Sequence, residues 1–130
     1  MDDEIKSKIS EYFNSQPSVG LVYFFGSRAK GFAGPMSDYD FAIYLSEENP
    51  DKRNVSRIQF ITDLIKVLNT DMVDVAILND CYLPEMKYQI IVEGELLFER
   101  EPYKILVEPR ILKEYFDFKT MLRKYNLTKS

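Results

Sequence analysis

A glycine–serine pair and three aspartates stand at a spacing that suits phosphate chemistry on metal ions. Gly26 and Ser27 are followed by ten residues and then by Asp38 and Asp40, and Asp74 lies further along the chain. Alternate residues of a strand share a face, with about 6.5 to 7 Å between their α-carbons, so the carboxylates of Asp38 and Asp40 can converge on ions about 3.5 to 4 Å apart. Three converging carboxylates repel one another unless cations neutralise them. Because Mg2+ keeps open positions for phosphate oxygens, the pattern favours two magnesium ions and a nucleoside triphosphate.

The glycine-rich loop GSRAKGFAGPMS supplies the other half of the predicted site. Gly26 lets the backbone approach a phosphate closely, and Ser27 offers a hydroxyl and an amide at the start of a predicted short helix, where N–H groups favour anions. Arg28 and Lys30 either add positive charge for a leaving pyrophosphate or are plain surface cations. We therefore expect nucleotide binding at Gly26 and Ser27, with Arg28 and Lys30 beside them.

The amino-acid composition excludes several other classes of catalytic and metal site. The chain has no histidine and a single cysteine, Cys81, which excludes histidine bases, Ser-His and Cys-His pairs, intramolecular disulfides and Cys-rich zinc sites. A net charge of −4 argues against direct binding of nucleic acid. The first residues are acidic and no apolar run approaches the ~20 residues that span a bilayer, so we expect no membrane association and a cytoplasmic protein.

Hydrophobic periodicity predicts strands alternating with amphipathic helices in one domain, residues 1–130. The second helix should begin at Asn49 and Pro50, end near Asn69 and bury a stripe on one side. Pro109 should kink or interrupt the last helix. The predicted helices are 2–14, 50–69, 82–93 and a C-terminal segment of about 102–126; the strands are Val19–Phe25, Asp38–Leu45, Met72–Leu78 and Glu95–Glu99; and the stripe is Ile58, Ile61, Leu64, Ile65 and Leu68.

The motif resembles that of a known superfamily. GSRAKGFAGPMSDYD is similar to the GS-x10-D-x-D signature of the DNA polymerase β-type nucleotidyltransferases, and Asp74 in VDVAIL matches their third carboxylate. The chain's length and its ending, YQIIVEGELLFEREPY followed by YFDFKTMLRKY, resemble the minimal nucleotidyltransferases (MNT), antitoxins paired with HEPN toxins. Lys30 stands where this family more often has arginine, which keeps the charge but loses a bidentate phosphate grip.

The resemblance implies a fold and a mechanism. The fold is α+β (α/β two-layer), of the polymerase β-type, with a short mixed sheet and helices packed on one face. Asp38 and Asp40 would bind both Mg2+ ions, and Asp74 would ligate the catalytic ion and help deprotonate the acceptor. Gly26 and Ser27 would hold the β- and γ-phosphates of ATP. AMP would pass to the acceptor with release of pyrophosphate.

The resemblance also implies the acceptor, a tyrosine of the cognate HEPN ribonuclease toxin in a hetero-oligomeric complex. Size agrees with a macromolecular acceptor, because no part of the chain remains for a separate acceptor-binding domain. Two alternatives stay open: an antitoxin that masks its toxin by binding alone, and a small-molecule nucleotidyltransferase acting as a dimer. The binding-only antitoxin should inhibit equally well after Asp38→Ala, whereas either enzyme should fail.

The C-terminal segment differs in charge from the rest of the chain. Residues 103–130 carry seven Lys or Arg against three acids, a charge of +4, which leaves −8 for residues 1–102. This segment is either a solvated helix face or a docking surface for an acidic partner.

Overall fold

The computed structural model describes residues 1–26 and 38–125. These residues form four α-helices and four β-strands, in the order α1-β1-β2-α2-β3-α3-β4-α4. A single 3-10 turn, Leu78–Asp80, follows the third strand. The elements are α1 Asp3–Asn14, β1 Val19–Phe25, β2 Tyr39–Leu45, α2 Pro50–Leu68, β3 Val73–Ile77, α3 Pro84–Glu93, β4 Glu95–Glu99 and α4 Tyr103–Lys124.

The helix ends follow from local side-chain chemistry. The carboxylate of Asp2 caps α1 by accepting a hydrogen bond from the Ile5 amide at 2.9 Å. Asn49 caps α2 in the same way through the Asp51 amide at 2.8 Å, and Asn69 ends it in the left-handed conformation. These boundaries agree with the sequence-based ones to within a residue or two.

Pro109 lies inside α4, and the helix continues through it without a break. The predicted interruption was therefore wrong. Val107 and Ile111, on either side of the proline, are both buried against the sheet. These two contacts hold this part of α4 against the sheet, while the proline itself is exposed.

The sheet has the order β3-β2-β1-β4. The central strand β1 pairs antiparallel with β2 and with β4, whereas β2 and β3 are parallel. A parallel pair needs a crossover connection, which α2 provides. The predicted α+β fold with a short mixed sheet is thus confirmed.

The helices cover both faces of the sheet, so the prediction that they pack on one face was wrong. On one face, Ile9 of α1 and Phe60 of α2 pack with Val22 of the sheet. On the other face, Ile90 of α3 and Ile111 of α4 pack with alternate strand residues. The uninterrupted apolar run of β1 is the physical reason, because a strand with both faces apolar must be covered on both.

The buried stripe of α2 also differs from the predicted one. Phe60 and Leu64 are its fully buried residues, whereas Ile58 is 55% exposed. In a helix, Ile58 lies on nearly the opposite side from Phe60, so the larger aromatic side chain takes the core. No helix in residues 1–26 and 38–125 is long and apolar enough to cross a membrane.

Candidate active site

Strand pairing brings together the residues that lie far apart in the sequence. The antiparallel register of β1 and β2 places Phe25 opposite Asp40, with Gly26 next along the chain. The parallel register of β2 and β3 places Asp40 beside Asp74. Gly26, Asp40 and Asp74 therefore meet at one end of the sheet.

Both aspartates point away from the core formed with α1 and α2. Their neighbours Phe41 and Val75 are buried in that core, and successive strand side chains alternate between faces. Ala42 shares the face of Asp40 but is buried beneath α3 and α4. Asp40 lies before the covered stretch and is only half-buried, while Asp38 and Asp74 are exposed. The carboxylates thus occupy the open end of an otherwise covered face.

Gly26 is packed directly against one of these carboxylates. Its φ is 87°, in the left-handed region that glycine tolerates best. A Cβ atom at this position would lie 2.5 Å from the Oδ2 atom of Asp40. The backbone can follow this path beside the carboxylate only because the side chain is absent.

Asp38 and Asp74 act electrostatically on Asp40. Burial raises the pKa of Asp40 above its ordinary value, and the negative charges of Asp38 and Asp74 raise it further. Both causes disfavour the ionised form of Asp40. A cation bound between the carboxylates would remove this penalty, which makes the donor set suitable for a divalent ion.

Arg57 of α2 contacts the third carboxylate, a feature that the sequence analysis missed. Its Nε atom donates to the Val75 carbonyl oxygen at 2.6 Å, and its Nη2 atom lies 3.4 Å from the Oδ1 atom of Asp74. The same Oδ1 atom accepts the Val75 amide at 2.9 Å. Nothing in the local sequence around Arg57 indicates this contact, because it depends on α2 packing against β3.

These side chains fit a magnesium site in chemistry and charge. All three are oxygen donors, the ligand type that Mg2+ prefers. In the part of the chain that the structure describes, no three acidic or cysteine side chains already stand close enough together to enclose a metal ion. The Oδ1 atom of Asp74 has Arg57 and the Val75 amide as partners.

A cavity of about 160 Å³ opens beside Gly26. Its lining includes Phe25 from the sheet and Met86, Gln89 and Glu93 from α3. α3 therefore forms one wall of the cavity beside Gly26. The predicted phosphate-binding residues Ser27, Arg28 and Lys30 lie outside the described residues, so their roles stay predictions.

A family model confirms the class of protein that this fold and site indicate. The model described as polymerase beta, nucleotidyltransferase, matches residues 7–103. The chain belongs to this family. A comparison with curated proteins finds no match.

Several solved structures have a similar fold. A toxin–antitoxin structure with AMP-PNP is 21% identical, with a TM-score of 0.74, and the match covers 92% of this chain and 94% of that one. A toxin–antitoxin structure of MntA-HepT is 19% identical, with a TM-score of 0.70 and coverage of 95% of each chain. A third, the tri-AMPylated Shewanella oneidensis HEPN toxin in complex with MNT antitoxin, is 20% identical, with a TM-score of 0.70 and coverage of 96% of this chain and 95% of that one. At these identities the likeness establishes the fold.

Proposed function

We propose that this chain is an antitoxin that transfers AMP from ATP to a hydroxyl group, with tyrosine as the expected acceptor, of a cognate HEPN ribonuclease toxin. The observation that carries the proposal is the register of β2 and β3, which sets Asp40 beside Asp74, next to Gly26. Membership of the nucleotidyltransferase family supports the reaction class. The partner rests on the similar folds, which include a HEPN toxin bound to an MNT antitoxin.

Each site residue has a role in this proposal. Asp38 and Asp40 would hold two Mg2+ ions, and Asp74 would bind one of them and accept the proton of the attacking hydroxyl. Gly26 and Ser27 would bind the β- and γ-phosphates through backbone amides and the serine hydroxyl. When bound, Mg2+ neutralises phosphate charge and lowers the pKa of the hydroxyl.

The transfer replaces one phosphorus–oxygen bond by another. The acceptor oxygen forms a bond to the α-phosphorus of ATP, the bond to pyrophosphate breaks, and the hydroxyl proton leaves the acceptor. Arg28 and Lys30 would offset the negative charge that develops on the pyrophosphate. In a chain without histidine, a carboxylate is the side chain best placed to take the proton.

The acceptor is proposed to be a protein because the described residues beside Gly26 offer little enclosure for a small molecule. The cavity beside Gly26 is about 160 Å³, below the usual range for small-molecule sites. An acceptor that brings its own surface can instead dock at the open end of the sheet. We also propose that residues 1–130 act as one minimal nucleotidyltransferase domain in the cytoplasm, where ATP is available.

The test is intact-mass spectrometry of the chain and the HEPN-type protein encoded beside it, incubated with ATP and Mg2+. We expect the partner to gain mass in steps of AMP, and its ribonuclease activity to fall. The double variant Asp38→Ala, Asp40→Ala should add no mass. Asp51→Ala, which removes an exposed aspartate beyond the far end of β2, is the matched control and should transfer normally.

Two results would overturn the proposal. If the double variant still silenced the partner without adding mass, the chain would act by binding alone. If the partner stayed unmodified while a small hydroxyl compound was adenylated, the chain would be a small-molecule nucleotidyltransferase.

A further inference from the structure

The cavity beside Gly26 has walls that suit an uncharged aromatic ring. Phe25 of β1 and the buried Ile90 of α3 contribute apolar surface to it, and Met86 of α3 adds a thioether. Phe25 shares with Tyr23 the face of the sheet that α3 and α4 cover, so its ring is directed towards α3. A planar ring held between the sheet and α3 would therefore contact an aromatic side chain and a thioether, both of which attract aromatic rings.

Two polar side chains of α3 border the same cavity. Gln89 and Glu93 follow Met86 at intervals of three and four residues, so the three lie on one side of the helix. Gln89 is exposed, and within residues 1–26 and 38–125 no group forms a hydrogen bond with its side-chain amide. An amide can donate and accept hydrogen bonds at the same time. The cavity therefore combines apolar walls with an amide that is available to a ligand.

The charges around the cavity argue against phosphate inside it. In the part of the chain that the structure describes, its lining includes no lysine or arginine. Lys87, the cation in the sequence of α3, is paired with Glu114 of α4 at 2.7 Å and borders a different cavity. The phosphates are expected instead at Gly26 and the carboxylates, where Mg2+ would neutralise them. The cavity is thus suited to an uncharged part of a nucleotide.

The size and position of the cavity fit a nucleobase. Its volume of about 160 Å³ is below the usual range for a whole small molecule and leaves room for one ring system. A nucleobase is joined to its phosphates through a single ribose, so its site must lie close to theirs, and Gly26 borders both. Met86 and Gln89 also border a second cavity, of about 310 Å³, next to Phe118. They stand between the two cavities, where the outer edge of a ring stacked on Phe25 would meet the Gln89 amide.

We propose that this cavity is the adenine site of the ATP substrate, with the base stacked on Phe25, covered by Met86 and paired through its 6-amino group with Gln89. Adenine is flat and uncharged, and its amino group is a donor next to a ring-nitrogen acceptor, the pattern that an amide side chain matches. An acceptor tyrosine fits less well, because its hydroxyl must reach the α-phosphorus and its ring then has no polar group for Gln89. The inference rests on the proposed function, since it presupposes ATP at this site.

The experiment is calorimetric titration of the chain, without a partner protein, in the presence of Mg2+. The ligands are ATP, its analogue that lacks the 6-amino group, and inorganic triphosphate. Wild type should bind ATP about tenfold more tightly than the analogue, because only ATP offers the amino group to the amide. Gln89→Met keeps the length of the side chain and removes the amide, so it should bind ATP and the analogue alike. Inorganic triphosphate has no base and should bind wild type and variant equally.

Phe25 and Met86 contact the ring itself, so their loss should not distinguish ATP from the analogue. Phe25→Leu should weaken both by about tenfold, the effect of losing a stacking partner, and Met86→Ala should weaken both by less. Unchanged binding of inorganic triphosphate distinguishes these effects from damage to the fold or to the phosphate site. Val92→Ala is one matched control, because Val92 is 54% exposed on α3 and borders neither cavity. Gln59→Met is the other, because Gln59 lies on α2, which packs on the other face of the sheet.

Three results would overturn the inference. In the first, wild type binds the analogue as tightly as it binds ATP. In the second, the binding of inorganic triphosphate falls together with that of ATP in Gln89→Met and Phe25→Leu. In the third, both variants bind ATP normally but transfer less AMP to the HEPN-type protein, which would assign the cavity to the acceptor.

The same data distinguish this inference from the proposed function. The expected binding pattern together with an unmodified partner would reject the proposed acceptor and keep the adenine site. Transfer of AMP to the partner, with ATP binding unaffected by the variants, would do the reverse. A wild-type chain that binds no ATP would reject both.

Discussion

Asp40 is the residue at which the chemistry of the site opposes the stability of the fold. Its carboxylate is half-buried beside two others, and burial together with their charges raises its pKa. Because the unfolded chain releases this proton at lower pH, the folded state holds more protons between the two pKa values. The free energy of unfolding therefore falls as the pH rises through that interval, and the loss persists above it.

Replacing Asp40 should consequently stabilise the metal-free protein. We expect Asp40→Asn to raise the unfolding temperature by up to a few degrees at neutral pH, and the gain to shrink as the pH falls below the ordinary carboxyl pKa. The same variant should lose AMP transfer. Circular dichroism with a chelator present measures the first effect, and Asp71→Asn, in an exposed loop, is its control. A variant no more stable than wild type at neutral pH would contradict this account.

Arg57 is the second residue of the candidate site for which the structure predicts a role. It donates to the Val75 carbonyl and approaches Asp74, so it holds the third carboxylate through the end of β3. We expect Arg57→Ala to lower the rate of AMP transfer by about 10- to 100-fold, the usual effect of losing a group that orients a ligand. Arg57→Lys should recover part of this loss, since it keeps the charge without the paired donors.

Two measurements distinguish a positioning role from a structural one. Arg57→Ala should change the Mg2+ concentration that half-saturates the protein in calorimetry, while its unfolding temperature stays close to wild type. Lys52→Ala, which removes an exposed cation from the same helix, should change neither. Unaltered metal binding and transfer in Arg57→Ala would refute the role.

At the scale of elements, the contact between α1 and α2 shows how helices support the sheet. The Tyr12 hydroxyl of α1 donates a hydrogen bond to the Asp63 carboxylate of α2, and Phe13 and Phe60 pack edge to face beside it. Burial raises the pKa of Tyr12, as does the bond to Asp63, so the hydroxyl stays protonated. This hydrogen bond therefore adds a directional contact to the otherwise apolar packing of α1 against α2.

Removing this bond should cost a modest amount of stability. We expect Tyr12→Phe to lower the free energy of unfolding by about 1 kcal/mol in urea titrations, because Asp63 keeps its bond from Gln59. Asp63→Asn should be less costly, and the double variant should cost less than the sum of the two. Tyr82→Phe, at a side chain 87% exposed, is the control. Strictly additive losses would mean that the two residues do not interact.

The register of β2 and β3 is the other decisive contact between elements. Strand side chains alternate between faces, so a slip of one residue would turn Asp74 into the core and Val75 into solvent. Burial of Phe41 on β2 and Val75 on β3 opposes that slip. The packing of the core thereby fixes which carboxylates face each other.

At the scale of the whole molecule, Arg100 joins the end of β4 to the connection between α1 and β1. Its Nε atom donates to the Val19 carbonyl at 3.0 Å, and its Nη2 atom reaches the carbonyls of Phe13, Asn14 and Gln16 at 3.2 to 3.4 Å. Two of these carbonyls lie at the end of α1, where the helix provides no amide four residues further on, although the Phe13 carbonyl also accepts the Gln16 amide at 3.0 Å. One side chain between β4 and α4 thus completes the turn between α1 and β1.

Loss of Arg100 should affect the entire fold. We expect Arg100→Ala to lower the free energy of unfolding by about 2–4 kcal/mol, because several partly buried carbonyls lose a charged donor. Arg100→Lys should retain only part of this stability, since a single amine cannot span the same carbonyls. Guanidinium titration measures the change, with the exposed Arg110→Ala as control. A loss no larger than that of the control would contradict the assignment.

The sequence by itself determined the elements of this protein and predicted the three carboxylates of the candidate site. Val19–Phe25 is predicted and observed with the same limits, because a continuous apolar run between a proline and a glycine depends on neighbours along the chain. The spacing of Asp38 and Asp40, and the alternation around Asp74, likewise follow from the two-residue period of a strand.

Only the tertiary structure determined which residues of other elements each helix and strand packs against. Contacts between distant segments determine that α3 and α4 cover the second face of the sheet. They also determine that Phe60 rather than Ile58 is buried, and that Arg57 contacts Asp74. A local hydrophobic pattern indicates that a residue is apolar enough to be buried. It does not indicate which residues will pack against it. The parallel pairing of β2 with β3 is a choice of this kind: it is set by the crossover through α2 and by the fit of the whole core.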